Sequence, residues 1–174
     1  MSILPLVQLK KSEISQKESP LRKPCEEVKD FGPEFQKVVD DLIENFMNHK
    51  IAIGLSAPQI GIQLKVSVIS LNKDKQKAED MLIIVNPKIL SISGKKDKKK
   101  ETCMSLPNYT GEVERRHKIS ISYQNRNGEE KRIEAEGFLA RVIAHETDHL
   151  EGLLYVDRMK DSSKLEPTDI FAYD

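Results

Sequence analysis

Two histidines four residues apart, His145 and His149, with Glu146 directly after the first, stand in the run IAHETDHLEGLLY. On an α-helix four residues turn through about 400°, so the two imidazoles project about 40° apart and can converge on one ion. Glu146 is offset by about 100°, near such an ion without ligating it, where a carboxylate can exchange a proton with water. The chemistry this predicts is metal-assisted hydrolysis. The bland alternative is a helix with two surface histidines, and the apolar residues upstream, which would bury the site, weigh against it.

Two imidazoles do not close a catalytic site, which usually takes three protein ligands and leaves a position for water. The pattern HExxHxxGxxH would put a third histidine at position 155; Gly152 is in place, but position 155 is Tyr155. A downstream carboxylate would have to be Glu166 or, less well placed, Glu151. The other candidate is Cys103, in KETCMSLPNY. A thiolate beside two imidazoles makes a donor set that suits Fe(II), Zn, Co or Ni better than Mg or Ca. Coordination would also deprotonate the thiol. Spacing alone leaves Cys103 and Glu166 both open, because a distant ligand must be delivered by the fold.

The elements that must position these residues are legible in outline. In DFGPEFQKVVDDLIENFMNHK, Phe35, Val38, Val39, Leu42, Ile43 and Phe46 repeat at helical spacing, with Pro33 and Glu34 at a suitable first turn. This predicts an N-terminal amphipathic helix. The broken, apolar IAIGLSAPQIGIQ reads as a buried or half-buried loop. Strand patterns follow in KVSVISL, MLIIVNPKIL and HKISISYQN, then in KRIEAEG after a turn at NRNGEE. Asn127 and Gly128 are expected to supply positive φ angles in that turn. The lysine-rich NKDKQKAED and GKKDKKKE read as solvated loops between strands. From Phe138, with Leu139, Val142 and Ile143, helical spacing returns and carries through His149 until Gly152 ends it. The opening to about Lys29 reads as turns, and the tail DSSKLEPTDIFAYD is given no regular structure. The fold class is therefore α+β, one domain over residues 1–174, with antiparallel strands packed around a C-terminal HExxH helix.

Lys+Arg and Asp+Glu both total 28, which argues against a chain built mainly to coat nucleic acid or an anionic membrane. No apolar run approaches the roughly 20 residues of a membrane span, and MSILPLVQLKK lacks the features of a signal peptide. A cytoplasmic protein with reduced thiols is expected. Cys25 then reads as a small buried hydrophobe.

Three stretches in order, GLSAPQIG (residues 54–61), ETCMS (residues 101–105) and HETDH (residues 145–149), resemble the peptide deformylases. The resemblance extends along GFLARVIAHETDHLEGLLYVDR and, more loosely, to SPLRKPCEEV. It implies a metal hydrolase that removes the formyl group from the N-terminal formyl-methionine of new polypeptides by way of metal-held hydroxide. By the same resemblance Cys103, His145 and His149 are the metal ligands and Glu146 the general acid/base. Gln59 points its amide at the scissile carbonyl, the backbone N–H of Met104 is a second donor, and the backbone at Gly54 and Leu55 lies along the peptide. The implied metal is Fe(II), with Zn, Ni or Co able to occupy the site. The implied partners are N-formylmethionyl peptides, with transient proximity to the ribosome and no direct nucleic-acid or membrane binding. Phe138 or Tyr155 would help line a methionine pocket. Ala52, Ser56 and Thr102 depart from the family pattern, which has Gly, Ala and Gly there. They raise the alternative of a deformylase-like metal-binding protein with lost or altered activity.

Overall fold

Pro33 has no amide hydrogen to lose in a first helical turn, and the first helix starts there. In the computed structural model, which describes residues 3–71 and 80–171, this helix, α1 (Pro33–Asn48), buries Phe35, Val39, Leu42 and Phe46 along one face. Val38 and Ile43 lie at the margin of that face, half-buried.

Six strands form one sheet: β1 (Gly54–Ser56), β2 (Val66–Ser70), β3 (Met81–Thr102), β4 (Tyr109–Gln124), β5 (Glu130–Glu136) and β6 (Glu166–Pro167). The first five lie side by side in chain order, all antiparallel, and β6 pairs with the start of β4. The second helix, α2 (Gly137–Leu150), opens at Gly137 and closes with Gly152 at φ +74°, whose amide donates to the His149 carbonyl at 3.1 Å. A side chain at Gly152 would meet the Arg22 backbone within 3 Å, so glycine is required there for two reasons. Ile143 and Ala140 of α2 pack on Ile69, Ile84, Ile119 and Ile121 of the sheet, while α1 packs with β1 and β2. The chain is thus one α+β domain with an antiparallel sheet and two helices. Among the described residues no helix is long and apolar enough to cross a membrane.

Several local expectations need correction. GKKDKKKE is not a loop: it continues β3 opposite β4, from Lys96↔Arg116 to Thr102↔Thr110. Its lysines face acids across the ladder, Lys96 to Glu114 at 3.0 Å and Lys98 to Glu112 at 3.5 Å, which relieves their mutual repulsion. Strand β4 accordingly begins at Tyr109, well before HKISISYQN. The other lysine-rich stretch, residues 72–80, lies outside the described residues except for Asp80. In the β4–β5 turn only Gly128 takes a positive φ, +82°. Asn125 does the capping instead, its Oδ1 accepting from the amides of Asn127 and Glu129 at 3.0 Å each. The buried loop at 51–63 contains β1 and a 3-10 turn over Ala57–Ile60. The tail is not irregular throughout, since it contributes β6.

Candidate metal centre and substrate cleft

Helix α2 carries His145 and His149 on one face, with ring centroids 4.9 Å apart. The chain turns out of β3 at Cys103 and brings its sulfur 3.3 Å from His149 Nε2. One donor atom from each of Cys103, His145 and His149 lies within 4.8 Å of the other two. The set of one sulfur and two imidazole nitrogens, gathered in this way, suits a borderline divalent ion of the Fe(II) or Zn kind. Glu166 and Glu151 are not part of it. Glu166 is exposed and paired with Lys100, and Glu151 is paired with Lys65 at 2.7 Å.

The three candidate donors are themselves held. His145 Nδ1 meets Glu101 Oε2 at 3.0 Å, which leaves Nε2 as the ring's donor to the cluster. Glu101 also accepts from Arg115 Nε at 2.6 Å and from Arg141 Nη1 at 2.7 Å. Arg115 in turn reaches Asp148 at 2.9 Å, beside His149 in the chain, and Arg158 holds the other oxygen of Asp148 at 2.6 Å. Burial would raise the Glu101 carboxyl, but the bonds from His145 and Arg115 hold it well below the usual carboxylate range. His149, buried beside His145, is pushed well below the ordinary imidazole value, so it stays the neutral donor a metal takes.

Glu146 lies 5 % exposed between this network and β1, and burial raises its carboxyl above the ordinary carboxylate value. Gly54 packs directly beneath it. A Cβ at Gly54 would overlap Oε1 and stand 2.7 Å from the carboxyl carbon. Gly54→Ala should therefore force the carboxylate out of place, and any turnover that uses Glu146 should fall in kcat by about 10²-fold, the scale of an ångström's misplacement at a reacting group. Steady-state kinetics on the metal-loaded variant measure this, and a kcat within twofold of wild type would refute it.

Gln59 is 2 % exposed, on the 3-10 turn after β1. Its Oε1 accepts the Ser56 amide at 2.9 Å, which turns the amide nitrogen toward Ser105 Oγ at 3.2 Å and the Cys103 sulfur at 3.5 Å. Met104, next to Cys103, lines the same cleft as Gln59 and Glu146. The cleft is about 240 Å³, with Ile51, Ile53, Phe138, Val142, Ile170 and Phe171 as its apolar walls. Leu55 is absent from those walls; its side chain is fully buried in the α1 core. Tyr155 is not a wall either. Its ring stacks on His145 at 6.2 Å, and its hydroxyl donates to the Tyr109 carbonyl at 3.0 Å. Cys25 sits apart from the site, its thiol pushed up to about 11 by burial, and is an inert core residue.

The three unusual residues fit without backbone strain. Thr102 ends β3 with no positive φ, so its branched side chain meets an ordinary strand backbone, and Ala52 packs with core residues, while both also line the cleft. Ser56 is buried against Glu146. Sequence reasoning missed Glu101, Arg115, Arg141 and the tail residues Ile170 and Phe171. Glu101 had a signal, since residues two apart on a strand share a face and it precedes Cys103 by two. Arg141 had one as well, since it precedes His145 by one helical turn on α2, whereas Arg115 and the tail had none, because only the tertiary fold brings them near.

Both the sequence and the fold of this chain recur in known proteins. The family model described as polypeptide deformylase matches residues 11–165. A peptide deformylase of Bartonella tribocorum is 42% identical over 140 residues, covering 79% of this chain and 77% of that protein. Peptide deformylase 1 of Bacillus cereus is 40% identical over 149 residues, covering 84% of this chain and 92% of its own length. The crystal structure of peptide deformylase from Thermotoga maritima superposes with a TM-score of 0.78 at 32% identity, over 92% of this chain and 100% of that one. With the family model spanning most of the chain and its motifs meeting in one cleft, this chain belongs to the peptide deformylase family.

Proposed function

We propose that the chain, as one catalytic domain over residues 1–174, hydrolyses the formyl group from N-formylmethionyl peptides to give formate and a free amine. The observation that carries this is the meeting of Cys103, His145 and His149 beside Glu146 and Gln59 at the floor of one apolar-walled cleft. Cys103, His145 and His149 would hold one divalent ion, Fe(II) natively, and Zn, Ni or Co suit the same donors. When bound, the metal supplies Lewis acidity that polarises the formyl oxygen and makes water acidic enough to attack near neutral pH.

The protein's own groups do the rest. Glu146 takes the proton from the attacking water and passes it to the departing amine nitrogen. The Gln59 amide and the Met104 backbone N–H donate to the oxygen on which negative charge develops, each such donor being worth about 10² to 10³ in rate. Gly54 offers backbone to the peptide without a side chain in the way, and Leu55 anchors that strand in the core. The apolar walls suit a methionine side chain, and a formyl carbon bears only hydrogen, so a narrow floor excludes larger acyl groups. The substrates are nascent chains, which places the work in the cytoplasm and transiently near the ribosome.

The test is formate release from formyl-Met-Ala-Ser by the Fe(II)-loaded protein prepared without oxygen, beside the acetylated peptide. Turnover of the formyl peptide alone is expected. Equal turnover of both, or of neither, would count against the proposal.

The alternative of a metal-binding protein without turnover drew on Ala52, Ser56 and Thr102. None of them separates the donors or enters the space beside Glu146 with a strained backbone, so the active reading is preferred.

A further inference from the structure

Alternation along β1 puts Gly54 and Ser56 on the face toward α2 and sends Leu55 to the core on the other side. Gly54 lies under one carboxylate oxygen of Glu146, and Ser56 reaches the other. The Ser56 hydroxyl is 2.5 Å from Glu146 Oε2 and 3.2 Å from the Glu146 backbone carbonyl. Its second neighbour is Ser67 Oγ, at 2.7 Å, on the residue paired with Ser56 across β1 and β2. A hydroxyl has one proton to give. If Ser56 donates to the carboxylate, Ser67 must donate to Ser56, and the two hydroxyls point one way. Both serines are at most 1 % exposed, so water does not compete for these bonds.

We propose that Ser56 is a positioning residue for Glu146: its hydroxyl, oriented by Ser67, ties down Oε2 and leaves Oε1, over Gly54 on the cleft wall, to carry the proton. Through its backbone amide the same residue fixes Gln59, so one position of the chain aligns both the acid/base and the oxyanion donor. The alanine usual in the family at this position could supply only the second of these. The catalytic part of the inference rests on Glu146 being the acid/base of the proposed reaction.

Ser56→Ala removes the hydroxyl and keeps the amide that holds Gln59. In metal-loaded protein it should lower kcat roughly tenfold, part of the 10²–10⁴ that a positioned acid/base contributes, with KM and metal content unchanged. Ser67→Ala should lower kcat about threefold and have no further effect in the Ser56→Ala background, since it acts only through Ser56. A melting cycle without turnover runs beside this. Ser56→Ala should lower Tm by about 3–6 °C in the wild-type background, the cost of leaving a buried carboxylate oxygen without its donor. In the Glu146→Ala background the same change should shift Tm by less than about 1 °C. Unchanged kcat in Ser56→Ala, a loss explained by metal content or KM, or additive melting shifts would each overturn the assignment. Should Ser56→Ala fail to fold, Ser67→Ala alone still decides, because a kcat equal to wild type contradicts the relay. Wild-type protein without formate release would instead overturn the proposed function, and the melting cycle would still settle whether Ser56 holds Glu146.

Discussion

Glu146→Ala is expected to lower kcat by about 10³-fold or more while the protein binds its metal as before. Glu146 stands outside the cluster of three donors, so its removal leaves Cys103, His145 and His149 in place. Its carboxylate is nevertheless buried in the cleft with Gln59 and Cys103, where the proposed mechanism has water and leaving group exchange a proton. KM should change little, because the apolar walls and the β1 backbone proposed to receive the peptide are untouched. His149→Ala should behave differently and lose metal and turnover together. The pair of results separates a proton-transfer role from a ligand role. A Glu146→Ala protein that retains a tenth of the wild-type kcat would remove Glu146 from the mechanism.

Glu101→Gln should cost about 3 kcal/mol of stability, the low end of the loss expected when a buried ion pair is stripped of one member. Glu101 gathers Arg115, Arg141 and His145 on its two oxygens, at distances from 2.6 to 3.0 Å. An amide of the same shape offers one acceptor oxygen and no charge. Arg115 would keep Asp148, and Arg141 would keep Asp97 at 2.8 Å, which is why the loss is not larger. For a chain of this size the melting temperature should fall by about 6–12 °C. Metal affinity should also drop, by about 10- to 100-fold, because His145 loses the partner that fixes its ring. Calorimetric melting and a metal-competition titration measure the two effects. A variant that melts within a degree of wild type and holds metal equally well would show that the network is incidental.

How much of this was legible in the sequence depends on how far apart the partners lie. HETDH declared two donors and the carboxylate because helical spacing is local, and α1 was legible for the same reason. Cys103 could not be separated from Glu166 by spacing; likeness to a family chose it, and β3 delivers it. GKKDKKKE looked like a loop because its own charges repel. The acids that make it a strand, Glu112 and Glu114, sit on the neighbouring strand and are invisible to a local pattern. Asn127 suggested a tight turn, but a longer loop lets Asn125 cap it and needs a positive φ only at Gly128. The tail looked featureless because its two informative residues, Ile170 and Phe171, have meaning only against the cleft. Ser56 looked like a blemish in a motif until the packing of β1 on α2 put its hydroxyl on Glu146.

In the proposed mechanism a metal held by Cys103, His145 and His149 is what makes the chain a deformylase. The most direct measurement strips the protein with a chelator, restores Fe(II) stepwise without oxygen, and records bound metal and formate release in the same samples. Saturation is expected at about one ion per chain by the donor set, with turnover rising in proportion to occupancy. Turnover that survives stripping, or full occupancy with no formate released, would contradict it.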